Sequence, residues 1–454
     1  MTSLARKIAE GTALISLANI ITGIFGLLSF IVIVRILGRF EYGLIVLASS
    51  AISIAGTLLD PGIGGVITAD ASRERGAKRY DKVKSLLYHY SQVEIFSGFF
   101  LFVIIFLSNT YFEQRYSEIV SELVKISAFL IITTAGKNIF LTTFNSHLDF
   151  KSIFSLNVGE SFFKLIYVIL FGYHLELGLY GVMLAYPLSS FTSLLLIFPN
   201  YLRIIKGYFS ISRPKENFFL KTVTSHGKWA IGIRPLKKLT DNIQPWLIQF
   251  FLGVEAVAIF NVARKAVRYT IFLFSPLENV LMPVISKEIK NIERINKIIN
   301  KSIKYSIWFS LPIITLSIIL SPFAFNIFFG SSYSESARIF QILIFISLVY
   351  ALNLTMRPLF FGLRAQKYLF IIYAISTMTF LLLGIILILL GGLYGFALAF
   401  IINGLIGFLL RYKYIRREGI RIIFKEILEI DDYDRELMKK IKKEIKSIII
   451  KISL

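Results

Sequence analysis

The stretch "HGKWAIGIRPLKKLTDNIQPWLIQFFLG" (226–253) carries charged side chains in surroundings apolar enough to cross a bilayer. Arg234, Lys238 and Asp241 stand at steps of four and three, so a helix would carry them on one face, with Lys237 beside them. The next apolar stretch answers with "NVARKAVRY" (261–269), where Asn261, Arg264 and Arg268 again share a face near mid-depth. Each such charge facing lipid would cost about 2.5–3.5 kcal/mol on insertion scales, so both faces are expected to look into protein or water. Arginine presents planar donors suited to phosphate or diphosphate, and a cavity with more cations than anions calls for an anionic ligand. Other apolar stretches add the cations Lys137, Lys164 and Arg357, and the carboxylates Asp60, Glu94 and Glu160. Asp60, Glu94 and Asp241 could bind a coupling proton or sodium ion. A blander alternative pairs Glu160 with Lys164, and Asp241 with Lys237 or Lys238, within single helices, and lets Lys137 and Arg357 snorkel from span ends.

The elements that must position these groups are transmembrane helices. Apolar residues make up 56% of the 454, and mean hydropathy is +0.70. Apolar runs near 11–34, 42–68, 85–108, 118–142, 153–172, 178–199, 223–252, 255–285, 302–328, 335–361, 367–390 and 392–412 predict an all-α polytopic protein of about twelve spans. The first run is too long for a signal-peptide core, lacks a small-residue cleavage site and is expected to stay in the mature chain. Pro235 and Pro245 interrupt span seven, and interrupted helices are common at transporter sites. With no cysteine there is no disulfide and no thiol chemistry, and His89, His147, His174 and His226 lack ligand spacing, so neither cofactor nor metal is expected.

Lys and Arg concentrate in alternate connections. "SRERGAKRYDKVK" (72–84) carries six basic residues, and the later even-numbered connections are also basic, whereas "GYHLELG" (172–178) and "GGLYG" (391–395) carry none. The positive-inside rule therefore puts both termini in the cytoplasm and the chain in the cytoplasmic membrane. Arg35 and Arg39 run against the trend, either as turn residues or as closers of an outer gate with Glu41 or Glu255. The net charge of +22 reports orientation and anionic lipid rather than nucleic acid, because the basic residues cluster beside spans. Near the C-terminus Met438, Ile441, Ile445, Ile448 and Ile452 share a helical face among lysines, which suits a helix lying on anionic lipid. No connection exceeds about 25 residues, so neither face has room for a folded soluble domain.

"GLYGVMLAY" (178–186) and "GLYGFALAF" (392–400) agree at six of nine positions, and each begins an even-numbered span. Leu37-Gly38 against Leu252-Gly253, and Pro61 against Pro276, echo the same offset. The chain is thus expected to be a parallel duplication: an N-terminal six-helix lobe over 1–206, a cytoplasmic linker over 207–222, a C-terminal lobe over 223–415 and a basic tail over 416–454. Two lobes around a central cavity suit alternating access.

"RILGRFEYGL" (35–44), "LLDPGIGG" (58–65), "FLGVEAVAIFNVARK" (251–265), "MPVIS" (282–286) and "FFGSSYSESARIFQIL" (328–343) resemble the polysaccharide flippases of the multidrug/oligosaccharidyl-lipid/polysaccharide exporter superfamily, along nearly the whole chain. The resemblance implies a twelve-helix, two-lobed transporter that moves a polyprenyl-(di)phosphate-linked oligosaccharide from the inner to the outer leaflet, with cavity cations on the lipid's phosphates and glycan-assembly machinery as partner. It sets Arg234, Arg264 and Arg268 at the kind of position where such cations fall, and Asp60 at a frequent acidic position, against which stands a capping role around Pro61. A drug or cation antiporter of the same superfamily remains as the alternative; it would want an acidic cavity, and the mid-span balance here is basic. A major facilitator sugar porter is disfavoured because Asp70 and Gly76 have the wrong spacing for its signature. A scaffold protein would leave the charged faces unexplained. An enzyme acting on lipid phosphates would need a positioned nucleophile or paired acids, and none is evident.

Overall fold

A computed structural model of the chain describes residues 3–115, 118–212, 218–226, 228–272, 291–363 and 365–423, with short stretches within 281–288 and 426–436. Runs of Leu, Ile, Phe and Val with no partner for their backbone groups in lipid must satisfy those groups internally, and the described residues accordingly fold into helices and contain no strand. In chain order these are α1 (Ser3–Ile36), α2 (Arg39–Leu59), α3 (Ile63–Gly76), α4 (Tyr80–Leu107), α5 (Asn109–Arg115), α6 (Glu118–His147), α7 (Phe150–Tyr167) and α8 (Gly178–Lys206). They continue with α9 (Phe218–His226), α10 (Lys228–Leu252), α11 (Val254–Phe272), α12 (Ile292–Phe329), α13 (Ser334–Leu343), α14 (Ile346–Asn353), α15 (Met356–Gly362) and α16 (Gln366–Arg417). α2 and α3 form one pass broken at Asp60 and Pro61, and α13 to α15 form another. α16 contains two passes, because Gly391 and Gly392 leave helical geometry at its middle.

Nine described helical stretches are long and apolar enough to cross a membrane on their own account. The stretch Lys367–Arg417 counts once there although it turns back on itself. The passes through α10 and α11 are absent from those nine because their charges lower the local hydropathy. The duplicated motif has a backbone cause. Gly178 and Gly392 both take a left-handed conformation, with φ of 52° and 55°, which reverses the chain between passes at no cost only for glycine. Three residues on, a Cβ at Gly181 would stand 2.8 Å from the Phe171 carbonyl oxygen, and one at Gly395 would stand 2.0 Å from that of Leu387. Each repeat therefore needs its first glycine for the turn and its second for a backbone-to-backbone approach. Pro276 lies outside the described residues, and so do Met438 to Ile452.

α1 to α8 make one lobe and α10 to α16 the other, with α9 packed on α3 and α4 of the first and leading into α10. They meet where α2 packs against α10 and α11, and α1 against α12. One buried apolar cluster crosses this boundary, running from Phe30, Val34 and Tyr42 to Val257, Phe260 and Phe329. It lies at the face that carries the odd-numbered connections. At the opposite, even face the C-terminal lobe has its own core around Ile299, Phe360 and Ile415. The N-terminal lobe there has separate cores around Leu86 and Phe144, and only Phe218 and Phe219 of α9 reach across to the first. The lobes are joined at the odd face and individually packed at the even face.

Beyond α16, the described residues between 420 and 436 fold back onto the even-face end of α12. Ile420, Ile422 and Ile427 join the lobe core, Asn300 and Asn296 bond the backbone of residues 421 and 423, and buried Lys304 pairs with buried Asp434, whose other oxygen accepts from Tyr305 at 2.7 Å.

Candidate functional site

The charged faces of α10 and α11 meet. A helical carbonyl is normally taken by the N–H four residues on, but the residue four beyond Asp241 is Pro245, which has none. The freed Asp241 carbonyl accepts from Arg264 Nη1 at 3.1 Å, while its carboxylate Oδ1 accepts from Arg264 Nη2 at 2.8 Å. The same oxygen lies 3.7 Å from Arg268 Nη2. The Arg264 guanidinium, 13% exposed, also sits over the Phe400 ring at 5.4 Å, so it is bound on every side that offers a partner. Arg268 is 56% exposed and shares, at longer range, the Asp241 Oδ1 that Arg264 already occupies. Asp241 therefore pairs across helices, where its own helix was expected to supply the partner. Thus Arg264 staples α10 to α11, and Arg268 keeps more of its charge open.

Lys265, next to Arg264, points the other way around α11, 4.7 Å over the Phe30 ring and 5.6 Å from that of Tyr42. Tyr42 donates to Asn261 Oδ1 at 2.8 Å across the lobe boundary. Lys164 of α7 rests 4.3 Å over the Tyr186 ring and, with Arg268, lies within electrostatic reach of Lys265. Among the described residues neither Lys164 nor Lys265 pairs with a carboxylate. The partner expected for Lys164, Glu160, pairs instead with Lys137 of α6, because the two helices bring those side chains together more directly than one turn of α7 does. The aromatic residues at 30 and 42 that hold Lys265 come from the other lobe, so no spacing within α11 marks this lysine as part of the seam.

The acidic candidates divide. Asp60 Oδ1 accepts from the backbone N–H groups of Gly62 and Gly64, both at 2.9 Å, and so caps the chain around Pro61. Glu94 is 1% exposed, accepts from Asn138 Nδ2 at 3.2 Å and lies within electrostatic reach of Asp60 and of Lys238 from the other lobe. Arg35 donates to the carbonyls of Phe328, at 2.9 Å, and Ile327, and Arg39 to that of Ser332. Both thereby tie the first connection to the other lobe at the odd face, through carbonyls rather than through Glu41 or Glu255. The side chains of Arg234 and Arg357 lie outside the described residues.

Lys237 and Asp241 also line a chamber of about 550 Å³ inside the C-terminal lobe, bounded by α10, α14 and both halves of α16. Its walls carry hydroxyls, amides and tyrosines, with Arg411 donating to Asn353 Oδ1 at 2.8 Å. No spacing in the sequence marks it, since its residues come from five passes, Ile271 of α11 included.

This arrangement gathers basic side chains at the seam and polar groups beside it; among the described residues no three potential ligands converge as a metal site would need. In comparisons with solved structures, a multidrug resistance MATE family transporter of the MOP superfamily, in an inward-facing conformation, aligns with a TM-score of 0.73 at 16% identity, covering 87% of this chain and 95% of that one. The lipid II flippase MurJ, in an inward closed conformation, aligns with a TM-score of 0.72 at 17% identity over 91% of this chain and 88% of its own. A Vibrio cholerae MATE transporter follows with a TM-score of 0.65, at 15% identity over 92% and 98%. No curated protein matches by sequence. The family model described as polysaccharide biosynthesis protein matches residues 32–338, through the first lobe and across α10, α11 and α12. The chain is therefore a multi-pass membrane protein that belongs to the polysaccharide biosynthesis protein family and is built on the fold shared by the MATE transporters and MurJ.

Proposed function

We propose that this protein is a flippase that carries a polyprenyl-(di)phosphate-linked oligosaccharide across the cytoplasmic membrane by alternating access. The observation that carries the reading is the trio Lys164, Lys265 and Arg268. One comes from the first lobe and two from the second, and no carboxylate neutralises the two lysines, while Asp241 is committed mainly to Arg264. A phosphate entering between the lobes would gain from all three cations at once, and a cationic drug would be repelled by them. Membership of a polysaccharide biosynthesis family supports a glycan-bearing cargo, and the likeness to a lipid II flippase supports a lipid carrier.

With the basic even-numbered connections in the cytoplasm, the joined odd face is outward, which supports reading this arrangement as cytoplasm-facing. The N-terminus and the tail are then cytoplasmic. Substrate enters from the inner leaflet, the phosphate binds the trio, and the lobes rock about it while the prenyl tail stays in lipid. Breaking the ties of Arg35, Arg39 and Tyr42 to the other lobe opens the outer side. Glu94 is the group we assign to proton or sodium coupling, being a buried carboxylate with one amide donor.

The test is protein-dependent flipping of a fluorescent polyprenyl-diphosphate oligosaccharide in proteoliposomes. Arg268→Ala combined with Lys164→Ala should lower the rate at least tenfold. Unchanged flipping in that variant, or ion-driven movement of a cationic drug by a wild type that flips no lipid, would overturn the reading.

A further inference from the structure

The two lobes are built alike, yet they treat one region differently. The repeat offset of 214–215 residues carries Glu160 of α7 to Ala374 and Ile375 of α16, beside Ser376. In the first lobe Glu160 reaches Lys137 of α6, and this ion pair fills the space between the passes. In the second lobe Ser376 is too short to reach across, and the 550 Å³ chamber opens there instead, a volume in the range of small-ligand sites. Gly407 enlarges it: a Cβ there would stand 3.3 Å from Arg411 Nη1 and 3.5 Å from Ser376 Oγ.

The groups facing the chamber are chemically selective. Ser376 Oγ is buried and has no hydrogen-bond partner. Asn403 accepts from Thr379 at 3.0 Å through its oxygen, and its amide N–H groups take no acceptor among the described residues. Thr240 and Thr377 lie 2.7 Å apart, and each hydroxyl is also placed to donate to a carbonyl of its own helix, so with one proton apiece they face the chamber chiefly as acceptors. Tyr373 lends a ring face, with Arg411 5.4 Å from its centroid. Neutral groups that both donate and accept match ligand hydroxyls and acetamido groups, which do the same. A metal ion would want acceptors only, and here Lys237 and Arg411 outnumber Asp241, whose carboxylate already holds Arg264.

We infer that this chamber is a sugar subsite: it receives the membrane-proximal hexose or N-acetylhexosamine of the cargo while the adjoining phosphate lies on the seam cations. The assignment rests on the flippase reading and names where that cargo's first sugar is recognised. Asp241 and Lys237 line the chamber and Asp241 also touches Arg268, so sugar and phosphate sites are contiguous as one molecule requires.

Binding of two probes to the full-length protein in nanodiscs tests this: undecaprenyl diphosphate, and the same lipid carrying one N-acetylglucosamine. Wild type should bind the sugar-bearing lipid about tenfold or more tighter, since unmade hydrogen bonds in a built polar site cost that much. Gly407→Leu, which fills the chamber, should erase that preference to within about twofold while leaving sugar-free binding within about twofold. Ser376→Val should do the same and stands in if the bulkier side chain impairs folding. Arg268→Ala should weaken both lipids alike. A preference that survives both chamber variants, or a wild type that binds both lipids equally, overturns the sugar subsite and leaves the flippase reading intact. A wild type that binds neither lipid overturns that reading itself, and the subsite with it.

Discussion

Replacing Asp241 by asparagine keeps its size and removes the charge that Arg264 faces at 2.8 Å. At that separation two unit charges attract by about 6 kcal/mol with an effective dielectric constant near 20, before desolvation is subtracted. Asp241 is 39% exposed and Arg264 keeps its bond to the carbonyl freed by Pro245, so water and that second acceptor offset much of the loss. We expect Asp241→Asn to cost about 2 kcal/mol. A lobe of roughly two hundred residues melting as a unit would then lose about 4–8 °C, read from tryptophan fluorescence or light scattering in detergent. Arg264→Gln alone should cost a similar amount, because it strands the carboxylate beside Arg268. The double variant should cost little more than either single one, a coupling of about 2 kcal/mol. Pro245→Ala restores the helical partner of the Asp241 carbonyl, so it should reduce that coupling by about 1 kcal/mol. Strictly additive single variants would refute the staple between α10 and α11, and with it the division of labour between Arg264 and Arg268.

Three further outcomes follow from geometry already described. Lys137→Met and Glu160→Gln should each destabilise the first lobe by about 1–3 kcal/mol, and their combination should recover most of the loss, as thermal unfolding would report. At Gly43 a Cβ would stand 2.3 Å from the Val254 carbonyl oxygen, so Gly43→Ala should push the lobes apart at the odd face. Because the native chain has no cysteine, a single thiol placed by Asn261→Cys would report that opening as faster labelling by a maleimide. Asp434→Asn should leave Lys304 buried without its counter-charge, cost about 3 kcal/mol and expose residues 420–436 to trypsin. Burial pushes the Asp434 carboxyl up, but the donations from Lys304, Tyr305 and the Asp431 N–H outweigh it and hold it well below the usual carboxylate range. A depressed folded value means the clasp is intact above the unfolded value of about 3.9 and weakens as pH falls below it, so hydrogen exchange of 420–436 should be flat from pH 7 to 5 and rise only in stronger acid.

Hydrophobic length and periodicity alone determined that this chain is a bundle of about twelve membrane passes, because lipid leaves the backbone no alternative to internal hydrogen bonding. The recurrence of "GLYG" was legible for the same reason: positive φ and close backbone approach both demand glycine at fixed points, so the duplication survives in letters. The charges of α10 and α11 were visible too, since charge in an apolar run stands out whatever the fold. Their partners were not. Asp241 could be placed on a face but not against Arg264, Glu160 was nearer in sequence to Lys164 than to Lys137, and the aromatic rings that hold Lys265 come from another lobe. Those pairings depend on which helices touch and at what height, and residues from different passes have no fixed spacing along the chain. The chamber is the extreme case: its walls come from five passes, and Ser376 and Gly407, both small, leave it room.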